Sequence, residues 1–78
     1  MFETEGSAMP LSLVGAGEDV RVSAVRGSEE VRRHLGSLGF VGGADVHVVS
    51  RSASNVIVMV KGARLGLDAK TANRIMVG

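Results

Sequence analysis

The sequence predicts a mainly β protein, a small closed or nearly closed β-barrel of about five short strands with one main helix and short helical turns. Short valine-rich segments recur along the chain and are separated by glycine or polar turns, which is typical of strands. Only residues 28–38 have the apolar spacing of an amphipathic helix. A barrel is the economical arrangement for these strands, because closure removes the sheet edges that invite aggregation.

The chain length and composition limit the class of protein further. With 78 residues the chain can build one hydrophobic core, predicted to span residues 9–78, after an N-terminal tail at residues 1–8. The absence of cysteine excludes disulfides and thiolate chemistry. No segment reaches the roughly 20 apolar residues of a membrane-spanning helix, and none resembles a signal peptide. We therefore expect a cytoplasmic protein with no direct membrane insertion.

Local signals predict each element in turn. Pro10 suits the first turn of a short helix, to which Leu11, Leu13 and Val14 would supply apolar contacts. Strands are predicted at residues 19–25, 44–50, 55–60, 64–68 and 75–77. Asp68 is predicted to cap a short helical turn that precedes the last strand.

The main helix has recognisable start and stop signals. Ser28 is a favourable N-cap, and glycine at position 39 is suited to the residue that follows the helix. Phe40 and Val41 are expected to pack back beneath the helix. The apolar stripe of the helix comprises Val31, Leu35 and Leu38.

The strands carry more apolar residues than one barrel interior needs. The residues expected to fill the interior are Val20, Val22, Val46, Val48, Val56, Val58, Val60, Leu65, Leu67, Ile75 and Val77, with Ala24 on the same face. A second set is expected to point elsewhere, namely Val25, Val49, Ile57, Met59 and Met76. Either the helix and the N-terminal segment cover this second set, or part of it meets another chain, including a second copy in a homo-oligomer.

The residue inventory argues against nucleic-acid binding and against catalysis. Nine Lys and Arg against eight Asp and Glu leave a net charge of +1, and two Phe without Tyr or Trp offer no stacking platform. The chain has no phosphate-binding loop and no nucleophile motif. We therefore expect a protein that is not an enzyme, requires no cofactor and does not bind nucleic acid.

The two histidines are the only side chains of the chain that offer an imidazole nitrogen as a ligand for a transition metal. Asp45 and His47 stand two residues apart on one face of a predicted strand, and His34 lies on the helix surface. Two ligands make a weak site, so we expect at most weak Fe(II) or Zn(II) binding, shared between chains. The simpler interpretation is that all three residues are solvated surface groups.

Three segments in order resemble the FeoA family of small ferrous iron transport accessory proteins. They are the opening MPLSL at residues 9–13, the helix and turn VRRHLGSLGFVGG at residues 31–43, and the closing segments at residues 58–68 and 72–77. The resemblance implies an SH3-like barrel decorated by helices. The family usually has a proline before the turn glycine, whereas this chain has Val41-Gly42-Gly43, a looser turn.

The resemblance also implies a function through contact. It implies a non-enzymatic cytosolic accessory or regulatory protein that binds FeoB, the membrane ferrous-iron transporter with a cytosolic GTPase domain. The alternative is a metal-binding or metal-sensing domain related to the C-terminal domains of metal-dependent repressors, and a third is an unrelated small barrel. The candidate contact surface comprises Arg32, Arg33 and His34 on the helix with any uncovered part of Val49, Ile57 and Met59.

Overall fold

The computed structural model describes residues 8–78, so the predicted tail at residues 1–8 lies outside the described residues except for Ala8. Six strands and two α-helices follow one another along this part of the chain. The strands are β1 Met9–Pro10, β2 Asp19–Val25, β3 Asp45–Arg51, β4 Asn55–Val60, β5 Ala63–Asp68 and β6 Ile75–Val77. The helices are α1 Glu29–Ser37 and α2 Ala69–Ala72, and a 3-10 turn covers Leu11–Leu13.

All strand pairs are antiparallel, and the strand order in the sheet is β1-β6-β2-β3-β4-β5. The mainly β class with one main helix is thus confirmed. The hydrogen-bonded sheet is not closed, because β1 and β5 stand at its two ends. The sixth strand, β1, has two residues paired with β6, too short for a period-2 pattern to reveal.

A bulge in β2 changes which of its side chains face the core. Val22 lies opposite Val77, but Ala24 lies opposite Met76 and Val25 opposite Ile75, so β2 has one extra residue at Ser23. The extra residue reverses the alternation, and Val25 packs against the core while Ala24 is exposed. The expectation that Ala24 faces inward and Val25 outward was therefore wrong.

A second bulge lies in β3. Val48 is opposite Val58, whereas Ser50 is opposite Ile57, so Val49 is the extra residue. Beyond the bulge, Arg51 lies opposite the buried Val56, on the side of the sheet that faces the core. The strand predicted to end at residue 50 therefore extends one residue further, and Arg51 belongs to it.

The core is formed by the inward faces of the strands, the 3-10 turn and α1. Nine of the eleven residues expected in the interior are buried, whereas Val20 and Leu65 are half-buried at its margin. Phe40 and Leu11 complete the core as expected. Leu13 and Val41 are 65% and 44% exposed, so the predicted packing of these two side chains was wrong.

The main helix is held at both ends by the residues that the sequence predicts. The Ser28 hydroxyl accepts a hydrogen bond from the backbone N–H of Val31 at 3.2 Å. Leu35 is 1% exposed within the core cluster. The chain leaves the helix through Gly39 at φ 112°, a conformation that side chains with a Cβ atom rarely adopt.

Candidate functional site

The outward side of α1 is a basic surface formed by three consecutive residues. Arg32, Arg33 and His34 are all exposed. Arg33 forms an ion pair of 3.3 Å with Glu29 one turn earlier, with both side chains more than 70% exposed. Within residues 8–78, Arg32 has no ion pair and no side-chain hydrogen bond. Among the described residues, no acidic side chain therefore occupies the guanidinium of Arg32, a group suited to bind carboxylates or phosphates.

A groove lies where α1 meets α2, and it shares His34 with this basic surface. It has a volume of about 360 Å³. Both apolar and ionisable side chains line it, so that a partner could bury an apolar group beside a polar one. The lining residues are Glu30, Val31, His34, Leu35, Thr71 and Arg74.

The three apolar candidates on the strands lie on the outer face of the sheet. Val49, Ile57 and Met59 are half-buried, so each keeps part of its side chain in solvent. Met59 lies between His47 on β3 and Arg64 on β5. The methyl end of Ile57 lies over Gly66, where an added Cβ would be 3.3 Å from the Ile57 Cδ1 atom. This surface is a mixture of apolar and charged groups.

The structure does not bring the helix surface and the strand surface together. Successive side chains of a strand point to opposite faces of its sheet. Val58 and Val60 pack in the same core cluster as Leu35 of α1, so Ile57 and Met59 lie on the other face of β4. The predicted contact residues therefore form two separate surfaces. A single partner could cover one of these surfaces or the other.

The candidate metal ligands are divided in the same way. Asp45 and His47 share the outer face of β3, while His34 belongs to α1. Asp45 is engaged by Arg21 at 3.3 Å, and the His47 Nδ1 atom lies 2.8 Å from a carboxylate oxygen of Asp19. No group of three or more His, Cys, Asp or Glu side chains suited to a metal occurs among residues 8–78. The described residues thus do not fit a closed metal site within one chain.

Asp19 is the residue at this surface that sequence reasoning missed. It becomes the neighbour of His47 only because β2 and β3 pair in the register that sets Asp19 opposite His47. The strand pattern of each segment predicts which face a side chain occupies, but it carries no signal for the pairing register of two strands 28 residues apart.

One titratable group at the end of β5 is perturbed. The carboxylate of Asp68 accepts a hydrogen bond of 2.7 Å from the backbone N–H of Thr71. Hydrogen bonding by Thr71, with a smaller contribution from the charge of Lys70, lowers the pKa of Asp68 below its ordinary value. This residue stabilises the start of α2, as the sequence predicts.

These features define a small, mainly β domain in which the candidate contact residues lie on two separate surfaces. Among the described residues, no helix has the length and apolar character needed to cross a membrane. The chain belongs to the FeoA family, since the FeoA domain model matches residues 9–78. A comparison with curated protein sequences gives no significant match.

Solved structures support the family and the fold. The crystal structure of an iron uptake regulatory protein (FeoA) is 31% identical, with a TM-score of 0.84 over 90% of this chain and 95% of that chain. Stenotrophomonas maltophilia FeoA complexed with zinc, described as a prokaryotic SH3 domain protein, is 28% identical, with a TM-score of 0.80 over 91% of each chain.

A longer protein shares the fold. A manganese-dependent transcriptional repressor in complex with manganese is 23% identical, with a TM-score of 0.82 over 91% of this chain. The match covers 36% of the repressor chain. At this level of identity the likeness to the repressor concerns the fold alone. The SH3-like class is confirmed by the Stenotrophomonas maltophilia FeoA, which is described as an SH3 domain protein.

Proposed function

We propose that this chain is a non-enzymatic cytoplasmic accessory protein of ferrous iron uptake that acts by contact with the cytosolic GTPase domain of a FeoB-type transporter. Membership of the FeoA family supports this proposal. The observation that carries it further is the exposed basic surface on α1, in which Arg32 makes no ion pair within the described residues. Arginine is common among residues that dominate binding energy.

The electrostatics of the proposed complex favour the helix surface. A GTPase domain carries acidic side chains and bound phosphates, and an unpaired guanidinium can bind either in a bidentate manner. Long-range attraction between a basic patch and such a surface also speeds association. The groove beside His34 would then receive an apolar side chain of the partner next to the charged contact.

The double variant Arg32→Glu with Arg33→Glu tests this surface. Association with the GTPase domain of the co-encoded transporter should weaken at least tenfold, about 1.4 kcal/mol, when titrated with and without nucleotide. The melting temperature should stay nearly unchanged, because exposed charges contribute little to stability. The matched control is Arg26→Glu with Lys61→Glu, an equal charge change at two exposed positions outside α1, which should bind within about twofold of the parent.

The strand surface provides the competing outcome. The variant Met59→Glu introduces a negative charge on the strand surface that also includes Val49 and Ile57, and it leaves α1 unchanged. If Met59→Glu abolishes binding while the double arginine variant binds as tightly as the parent, the interface is the outer face of the sheet. If neither variant affects binding, contact with the GTPase domain does not use the proposed surfaces.

A second candidate function is metal binding or sensing, favoured by the contact of 2.8 Å between His47 and Asp19. We propose only weak Fe(II) or Zn(II) binding, shared between chains through His34 or through Asp45 and His47, because two ligands from one chain leave a tetrahedral metal incompletely bound. Calorimetric titration should give weak binding that His47→Ala reduces. One tight site per chain, abolished by either histidine variant, would show instead a dedicated metal domain.

A further inference from the structure

Among the described residues, strand β5, Ala63–Asp68, has one edge without a partner strand. Among residues 8–78 it pairs with β4 alone and stands at the end of the strand order. The opposite end of the sheet is β1, which has two residues and contains Pro10, so it offers little to pair with. The edge of β5 is six residues long and has no proline. It is therefore the edge of this sheet best suited to receive another strand.

The pairing of β4 with β5 determines which backbone groups face this edge. The two residues Lys61 and Gly62 form the turn, and Val60 opposite Ala63 is the closing pair. Hydrogen-bonded and non-hydrogen-bonded pairs alternate from there, so the N–H and C=O groups of Arg64 and Gly66 point away from β4. Within the described part of the chain, neither residue makes a backbone hydrogen bond in the loops and turns that could cover them.

The sequence of β5 is complementary to itself. Residues 64–68 are Arg-Leu-Gly-Leu-Asp, in which the two leucines are symmetric about Gly66 and the two ends carry opposite charges. Antiparallel pairing of two copies about Gly66 sets Arg64 opposite Asp68 of the second copy, and Leu65 opposite its Leu67. Opposite charges and apolar residues facing one another across an antiparallel pair are both favourable.

We propose that two copies of this chain form a symmetric dimer by antiparallel pairing of their β5 strands about Gly66, so that the two sheets become one continuous sheet. The two Gly66 residues exchange both N–H···O bonds, since their backbone groups face the edge. The pairing is isologous, as two-fold dimers require. This dimer is independent of the proposed contact with a transporter and involves none of Arg32, Arg33 or His34.

The segment that follows β5 is held to β4 and to the core. Ala69, directly after β5, donates its N–H to Ser54 beside β4 at 2.9 Å. Ala72 of α2 is fully buried in the core, so α2 packs against the core through this residue. Leu65 is only half-buried in the single chain, whereas Leu67 is already buried in its own core, so pairing would place the second strand beside the exposed part of Leu65. Because Gly66 has no side chain, nothing projects from this position on the outer face of either sheet where the two copies of β5 pair.

Sedimentation of the full chain over concentrations from about 10 μM to about 1 mM tests the dimer. One strand pair buries less than the roughly 1,200 Å² of a stable interface, so we expect a weak dimer with a dissociation constant on the order of 0.1 mM. Hydrogen exchange of the Gly66 amide should slow as concentration rises, because that N–H becomes bonded in the dimer. A parent chain that stays monomeric throughout this range would overturn the proposal.

Two charge variants identify the interface. Arg64→Glu places a negative charge opposite Asp68 of the second copy, and the repulsion should raise the dissociation constant of the dimer at least tenfold. Asp68→Lys places a positive charge opposite Arg64 of the second copy and should raise the dissociation constant by a similar factor. Mixing the two variants makes every facing pair opposite in charge, so a heterodimer should form as tightly as the parent dimer. Arg32→Glu, the same charge change on α1, is the control and should dimerise normally.

The mixture keeps the proposal testable even though Asp68→Lys removes the cap of α2. Circular dichroism confirms that each variant is folded before mixing. If Arg64→Glu dimerises as tightly as the parent, or if the folded variants fail to associate when mixed, the dimer does not use β5.

Discussion

The guanidinium Nη1 atom of Arg51 donates a hydrogen bond to the carbonyl oxygen of Val14 at 2.8 Å, which ties the end of β3 to the segment that precedes β2. The contact depends on the bulge at Val49, because without the extra residue the side chain of Arg51 would point to the outer face. Val14 itself is 1% exposed, so no other donor easily replaces Arg51 at its carbonyl group. The contact therefore stabilises one end of the barrel.

We expect Arg51→Ala to lower the free energy of unfolding by about 1–2 kcal/mol, because the Val14 carbonyl loses a charged hydrogen-bond donor. Urea-induced unfolding followed by circular dichroism measures this loss. The control is Arg26→Ala, since the contact of Arg26 with Arg74 uses only its backbone N–H, and it should change stability by less than about 0.5 kcal/mol. Equal effects of the two substitutions would contradict a specific role for Arg51.

Leu35 joins α1 to the sheet. Because Leu35 is 1% exposed in the core cluster, Leu35→Ala should open a cavity and lower the free energy of unfolding by about 2–5 kcal/mol. Leu13→Ala removes the same atoms from a side chain that is 65% exposed, and it should have an effect below about 0.5 kcal/mol. Chemical denaturation of both variants compares them directly. A loss below about 0.5 kcal/mol for Leu35→Ala would mean that α1 turns another face to the core.

The turn after α1 requires glycine at one position and tolerates a side chain at another. Gly39 has φ 112°, and an added Cβ would lie 2.8 Å from the Cγ atom of Lys61. We expect Gly39→Ala to lower the free energy of unfolding by about 1–3 kcal/mol through backbone strain. Gly42 has open space around the same position, so Gly42→Ala should be within about 0.5 kcal/mol of the parent. Similar thermal unfolding of the two variants would contradict the strained geometry at Gly39.

Asp68 should make the stability of the domain depend on pH in the acid range. Hydrogen bonding by Thr71 lowers its pKa in the folded state below the ordinary value of 3.8. A lowered pKa means that the folded state favours the carboxylate. The stabilisation is therefore fully present above the unfolded pKa and disappears as pH falls through the lower folded pKa.

The variant Asp68→Asn isolates this effect, since asparagine can cap a helix but does not titrate. We expect the parent to melt at a higher temperature than the variant near neutral pH, and the difference to shrink as the medium becomes more acidic than the folded pKa. All other acidic groups are common to both proteins, so they cancel in the difference. A difference in melting temperature that is independent of pH would contradict the prediction.

Much of the secondary structure could be predicted from the sequence, because its signals are local. The strands at residues 19–25, 55–60 and 75–77 have the predicted bounds, and the helix ends lie within one residue of the predicted 28–38. Ser28 and Asp68 cap their helices as predicted, since a cap needs only the backbone N–H group three residues away. The resemblance to the FeoA family likewise rested on short segments and is confirmed by the family match.

Other features depended on which distant residues meet in the folded chain. The bulges at Ser23 and Val49 arise from pairing between strands. The sequence of one strand therefore contains no sign that Val25 packs against the core or that Arg51 lies on the core-facing side of the sheet. Strand pairing also brings Asp19 to His47 and, within residues 8–78, leaves one edge of β5 without a partner. The sequence by itself determined the elements and the family, because periodicity, caps and turn residues act within a few positions. Only the tertiary structure decided the two separate surfaces, since strand pairing and burial depend on contacts between residues far apart in the chain.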